Sequence, residues 1–219
     1  MRTLIAVPSC HVLRHYEQAI RDTWGREVPN EVDLRFFLGD PVVSLSRDEV
    51  HLRVGDSLQD LTHKVVEMFK WALTQGYSWC MKADLDTLVR PLGLLQSDFR
   101  QFDWVGGQND FFASGGAGYT LSRRAMKAVV DYPIGTAQEE DVHVARALLE
   151  IGITLHHDPR YLFIPGSVLT GDTITYHLSS VKGWSCKATP ADMYAAYAGT
   201  FRLQSQTIPK RQLRFRRLR

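Results

Sequence analysis

Four short apolar runs at the start of the chain limit its fold more than any other feature. Thr3 to Val7 is closed by Pro8-Ser9, Val32 to Leu38 by Gly39-Asp40-Pro41, His51 to Val54 by Gly55, and Tyr77 to Met81 by the stretch that begins at Lys82. Helical periodicity fills two of the gaps. Tyr16 to Trp24 puts Ala19, Ile20 and Thr23 on one face, and Leu58, Leu61, Val65, Met68, Phe69 and Ala72 recur at helical spacing before Gly76. Alternating strands and helices predict an α/β sheet with parallel strands in its first half. Ligands of such sheets sit at the carboxyl ends of the strands. Pro8-Ser9, Gly39-Asp40 and the segment from Asp84 to Asp86 are expected at that edge.

Asp84-Leu85-Asp86 is the candidate chemical centre. Read as the extended mouth of a buried strand, it would point two carboxylates to the same side, roughly 7 Å apart. That spacing serves one divalent cation, which could hold a diphosphate against an acidic site. Two aspartates alone also fit a solvated turn. Further along, Ala113 to Ser122 is rich in glycine, which allows close backbone approach to a ligand but equally a tight turn between strands. Glu139-Glu140-Asp141 precedes an apolar-periodic helix, where acids also stabilise the helix dipole. Strands are read at Phe102 to Val105, Ile153 to His157, Tyr161 to Ile164 and Thr173 to Leu178, the last carrying His177, and a helix runs from Arg123 to Val130 behind a Ser122 cap.

Composition excludes some classes. The 219 residues are 44% hydrophobic and 23% charged, with a net charge of +2. That is enough apolar material for a sizeable core, and too little excess charge to argue for nucleic acid. Cys10, Cys80 and Cys186 are odd in number and far apart, so a disulfide framework is not expected and a reducing compartment fits. No apolar run reaches the ~20 residues of a membrane span. The end of the chain, 210–219, is dense in arginine with Leu213, Phe215 and Leu218 interleaved. It could bind anionic lipid or nucleic acid, or be a solvated end.

The order of these segments resembles the β-1,3-glycosyltransferases of family 31, which include galactosyl-, N-acetylglucosaminyl- and Fringe-like enzymes. Ala19-Ile20-Arg21-Asp22-Thr23-Trp24-Gly25 is similar to the family's Ala-Ile-Arg-x-Thr-Trp. Phe36-Phe37-Leu38-Gly39 resembles its Phe-x-Leu-Gly strand. Asp56 with Asp60-Leu61-Thr62-His63-Lys64 looks like Asp-x-Tyr-x-Asn-Leu-Thr-x-Lys, and Lys82 to Val89 like Lys-x-Asp-Asp-Asp-x-Phe-Val. Gly116 to Ser122 resembles Gly-x-x-Tyr-x-x-Ser, and Glu140-Asp141-Val142 resembles Glu-Asp-Val. The chain departs from the pattern at Leu85, which replaces the middle aspartate, at Tyr16-Glu17, which replaces Arg-Arg, and at Leu58 and Asp60. No counterpart of the family's stem, membrane anchor or paired cysteines is read in these residues, so a Golgi lumenal enzyme is not expected.

The resemblance implies a GT-A fold, a mixed central sheet with helices on both faces. It implies a single catalytic domain over 1–209, with a nucleotide-sugar half (1–90) and an acceptor half (91–209), and a basic tail at 210–219. The implied reaction is inverting transfer of a hexose, galactose or an N-acetylhexosamine, from a UDP-sugar to a glycan hydroxyl in β-1,3 linkage. It implies Mn2+ or Mg2+ held by Asp84, Asp86 and His177, with Asp141 as catalytic base. Ser9, Arg21, Lys64, Lys82 and Asp84 are implied on the donor. The expected partners are a UDP-sugar and a glycan or lipid-linked glycan. The expected setting is the cytoplasm, with the tail offered to the inner face of a membrane. The competing readings are a non-catalytic nucleotide-sugar or glycan-binding module, and another metal-dependent phosphate-ester enzyme.

Overall fold

The computed structural model describes residues 1–41, 44–135, 139–183 and 187–207. The tail at 210–219 and Cys186 lie outside them. In chain order the first elements are β1 (Thr3–Pro8), α1 (His15–Asp22), β2 (Val32–Leu38), β3 (Glu49–His51), α2 (Leu61–Thr74), β4 (Trp79–Lys82), β5 (Thr87–Val89) and α3 (Pro91–Gln96). Then follow β6 (Trp104–Gly106), β7 (Gln108–Asn109), β8 (Phe112–Ala113), β9 (Tyr119–Ser122), α4 (Arg123–Asp131) and α5 (Glu140–Glu150). The last are β10 (His156–His157), β11 (Tyr161–Leu162), β12 (Thr175–His177), α6 (Leu178–Lys182) and α7 (Pro190–Thr207).

Seven strands form the main sheet in the order β10-β6-β9-β4-β1-β2-β3. The expected parallel half is present: β1 pairs with β2 and β4, and β2 with β3, all parallel. Beyond β4 the sheet turns antiparallel, because β9 runs against both β4 and β6. Successive residues of a strand face opposite sides, so β1 must be apolar throughout to sit in the middle. Leu4 and Ala6 join a core with α2, α4 and α5 on one face. Ile5 and Val7 join a second core on the other face, with Ile20 and Trp24 beside α1, and Leu88, Ile174 and Met193. Helices therefore cover both faces, as expected.

A smaller sheet, β11-β12-β5, stands against the second face and fixes the site. β12 runs antiparallel to β5, with His177 opposite Thr87 and Tyr176 opposite Leu88. The peptide N–H of Leu178 donates to the carbonyl of Asp86 (3.0 Å). A histidine ninety residues away in sequence is thereby laid beside the second aspartate by strand register.

Three expectations need correction. Asp84 to Asp86 is not extended: it is a turn between β4 and β5, closed by Thr87 N–H on the Asp84 carbonyl (3.0 Å). Leu85 is tucked into the second core, which leaves the two carboxylates facing the same opening. The third strand is Glu49–His51 rather than His51 to Val54. A charged Glu49 can be buried there because the Arg14 guanidinium grips its carboxylate. The long helix begins at Leu61, after a 3-10 turn over Leu58–Asp60 capped reciprocally by Ser57 and Asp60, and Leu58 is exposed.

Candidate active site

The carboxyl ends of β1 and β4 open into a cleft of about 340 Å³. Pro8, Ser9, Asp56, Lys64, Asp84, Asp86, Ser179 and Lys187 contribute to its walls, with an apolar side made by Leu13, Tyr16, Leu58 and Leu61. Of the site residues expected from sequence, Ser9, Lys64, Asp84 and Asp86 meet here. Arg21, Lys82, Asp141 and His177 are not among the lining residues, although His177 stands beside Asp86.

At the mouth, one ligand atom each from Asp84, Asp86 and His177 lies within 4.8 Å of the other two. The imidazole Nε2 is 3.2 Å from Asp86 Oδ1. His177 Nδ1 is 2.5 Å from Ser180 Oγ. With a cation bound, an Nδ1–H donated to that hydroxyl would leave the Nε2 lone pair for the ion; without one, Nε2–H faces Asp86. Asp86 is held in turn by the Ser179 hydroxyl, which donates to its Oδ2. Gly116 makes room for the ring: a Cβ there would stand 2.3 Å from His177 Cε1. Burial raises the Asp86 carboxyl, but the His177 and Ser179 contacts outweigh it and leave the pKa below the usual carboxylate range. Burial lowers the His177 imidazole, and the hydrogen bond and charge of Asp86 overcome this to raise it. Two carboxylates and one imidazole converging this closely fit a divalent cation of the oxygen- and nitrogen-binding kind.

Lys82 lies behind the mouth, and its side chain is 1% exposed. Its ammonium reaches Asp84 Oδ1 (2.7 Å), Glu140 Oε2 (3.2 Å) and the Gly115 carbonyl (3.0 Å). Burial disfavours the charge, but Asp84 and Glu140 outweigh it and raise the lysine above its ordinary pKa. Tyr119 donates its hydroxyl to the other oxygen of Glu140. The Gly115 N–H donates to Asp141 Oδ2 (3.2 Å), so one glycine residue stands between the lysine and the expected base. The glycine segment is a strand-to-strand turn that also carries these contacts. Gly118, at φ +80°, is required there, since a Cβ would meet the Lys82 carbonyl at 2.5 Å.

Lys64 is a structural cation of the cleft wall. It donates to Asp56 Oδ1 (2.6 Å) and to the Ser9 carbonyl (2.7 Å). Arg21 sits in a separate network, on Asp48 (2.8 Å), Glu17 (2.9 Å) and Glu49 (3.3 Å). Ser9 Oγ donates to Glu17 (2.5 Å), so Arg21 reaches the cleft only through that buried acid. Burial first, and then a hydrogen bond with Glu49, push the Glu17 carboxyl up to about 7. Glu49 is held at about 2 in spite of its burial, chiefly by Arg14 and by Glu17.

No family model and no curated protein matches the sequence. Among solved structures, a putative nucleotide-diphospho-sugar transferase from Desulfovibrio desulfuricans G20 is similar over 92% of this chain and 98% of its own, with TM-score 0.52 and 11% identity. The glycosyltransferase GlyE of Streptococcus pneumoniae TIGR4 is similar over 74% of this chain, with TM-score 0.49 and 9% identity. The chain spans about half (47%) of GlyE's length. The fold is GT-A. At these identities the likeness reaches the fold and stops there.

Reading the sequence missed Ser179, Ser180 and Glu140 as parts of this arrangement. The two serines follow His177 after one residue, Leu178, and a hydroxyl pair so close behind a candidate ligand was the available signal. Glu140 was legible as a helix N-terminal acid and as part of the Glu-Asp-Val resemblance, not as a partner of Lys82. The GT-A chain thus holds two levels: ligands at the mouth, and an ammonium with its acids beneath. Among the described residues, no helix is long and apolar enough to cross a membrane.

Proposed function

We propose that the chain is an inverting, metal-dependent hexosyltransferase that moves galactose or an N-acetylhexosamine from a UDP-sugar to a glycan hydroxyl, in the manner of the β-1,3-glycosyltransferases of family 31. One observation carries this reading: Asp84, Asp86 and His177, from two different elements, meet within 4.8 Å at the mouth of a cleft large enough for a nucleotide. Asp84, Asp86 and His177 would hold manganese or magnesium, and the cation supplies positive charge toward a diphosphate. Ser9 and the apolar side of the cleft would receive the nucleoside. Asp141, at the start of α5, would take the proton of the acceptor hydroxyl as that oxygen bonds to the anomeric carbon. Attack from the face opposite the leaving group inverts the centre, so an α-linked donor gives a β-glycoside. Lys64 and Lys82 act here by holding the walls and Asp84 in place. Arg21 acts through Glu17.

The test is UDP release with manganese against a panel of UDP-galactose, UDP-N-acetylglucosamine and UDP-N-acetylgalactosamine, with and without glycan acceptors. We expect release with one donor that depends on acceptor and metal. Asp141→Asn should lower turnover by about 10²–10⁴-fold and leave UDP binding in place. Release of phosphate without a sugar acceptor would favour the phosphate-ester enzyme instead. Nucleotide binding with no turnover under any condition would favour the binding module. Near-normal turnover by Asp141→Asn would remove that residue from the chemistry.

A further inference from the structure

The charged groups of the cleft do not balance a diphosphate. The lining carries three carboxylates, Asp56, Asp84 and Asp86, and two ammonium groups, Lys64 and Lys187. Lys64 is 3% exposed, and Asp56 and the Ser9 carbonyl already hold it. Lys82, just behind, is spent on Asp84 and Glu140. Lys187 is exposed, and it makes no ion pair or hydrogen bond with any described residue.

Its backbone is well placed for a ligand at the mouth. The next residue, Ala188, is pinned through both of its backbone polar groups. Its N–H donates to Ser179 Oγ (3.0 Å), and its carbonyl accepts from the Tyr16 hydroxyl (2.9 Å). Ser179 is the same residue that donates to Asp86. One hydroxyl therefore ties the stem of Lys187 to a carboxylate of the candidate metal site.

We propose that Lys187 is the protein cation that meets the diphosphate of the donor and its leaving group. The inference rests on the nucleotide-sugar reading above. As the anomeric carbon to oxygen bond breaks, its electron pair passes to the β-phosphate oxygen, while the acceptor oxygen bonds to the anomeric carbon and gives its proton to Asp141. Charge grows on that phosphate oxygen, and an ammonium aimed there favours the transition state over the ground state. The acidic wall would otherwise oppose it.

The test is calorimetric titration of the full chain with UDP and with uridine, both with manganese, beside steady-state kinetics. Lys187→Ala should weaken UDP binding by about 10- to 100-fold, the range of a charge-assisted hydrogen bond, and leave uridine binding unchanged. It should lower kcat more than it raises KM for the donor, and Lys187→Arg should restore most of both. Its thermal melt should match the wild type, since no described residue leans on the ammonium. If the wild type binds UDP and Lys187→Ala binds it and turns over equally well, this inference fails while the nucleotide-sugar reading stands. If the wild type binds no nucleoside diphosphate at all, both fall together.

Discussion

The cleft has a floor and a rim, and they handle charge in opposite ways. The floor is built on the ends of β1 and β4 and on α2. Its cations, Lys64 and Lys82, are 3% and 1% exposed, and each is matched by protein carboxylates at 2.6–3.2 Å. The rim is built from the β4–β5 turn, from His177, Ser179 and Ser180, and from Lys187 and Ala188. Of its carboxylates, Asp86 is steadied by the His177 imidazole and the neutral Ser179 hydroxyl, while Asp84 is shared with Lys82 of the floor. A buried charge must be paired inside the protein, whereas one at a mouth can be left for a ligand. The floor therefore gives shape, and on the proposed reading the rim gives chemistry.

Breaking the floor should have the largest effect. Lys82→Met removes the ammonium and leaves Asp84 and the 4% exposed Glu140 side by side without it. Deleting one partner of a buried pair costs roughly 3–5 kcal/mol. Urea denaturation should show a loss of that size. In a Glu140→Gln background the same substitution should cost less, because one stranded charge is already gone. A near-neutral Lys82→Met would mean that the floor is held by packing alone.

The floor's second network gives a pH test. Glu17 is fully buried, and its carboxyl is raised from 4.5 to about 7 by burial and by Glu49. Arg21 on its own helix and Arg14 on Glu49 also face the pair, with Asp48 on the far side of Arg21. The folded protein keeps the Glu17 proton up to about pH 7, and the unfolded chain releases it near 4.5. Its contribution is thus full below pH 4.5 and lost as pH rises through 7. At about 1.4 kcal/mol per pKa unit, the swing is at most about 3.5 kcal/mol. Glu49, held at about 2, has the opposite sign, and its share is lost only as pH falls below about 4.5. Between pH 5 and 8, Glu17→Gln should flatten the decline in stability seen by thermal melts. An unchanged slope would place the shared proton elsewhere.

Much of this contrast was legible, and unevenly. The parallel half could be read because β1 and β2 are apolar runs with clear stops. Asp84 and Asp86 could be read as a pair because they are two residues apart, although the turn that presents them could not. His177 was legible only as a histidine ending a strand and by family resemblance. Its closeness to Asp86 depends on the β12–β5 register, and that is set by a small sheet whose strands are three residues each or fewer. Arg21 was expected on the donor. Periodicity put it on a helix, but the acids that engage it come from around β3, where a buried glutamate disguised the strand. Local pattern reports what a residue's neighbours in sequence require, and these partners are distant.

The smallest expected effect sharpens the rim. Ser180 touches no candidate carboxylate. Its hydroxyl lies against the far nitrogen of His177 and fixes which nitrogen faces Asp86. Removing such a partner commonly costs 10- to 100-fold in metal affinity, about 1.4–2.7 kcal/mol, because the ring loses its preferred tautomer and orientation. Ser180→Ala should weaken manganese binding in a direct titration by that factor, while unfolding in the absence of metal barely moves. Ser180→Thr keeps the hydroxyl and should recover most of the affinity. Equal metal affinity in all three proteins would show that Gly116 and the β12–β5 register alone hold the ring, and that the rim is as rigidly prearranged as the floor.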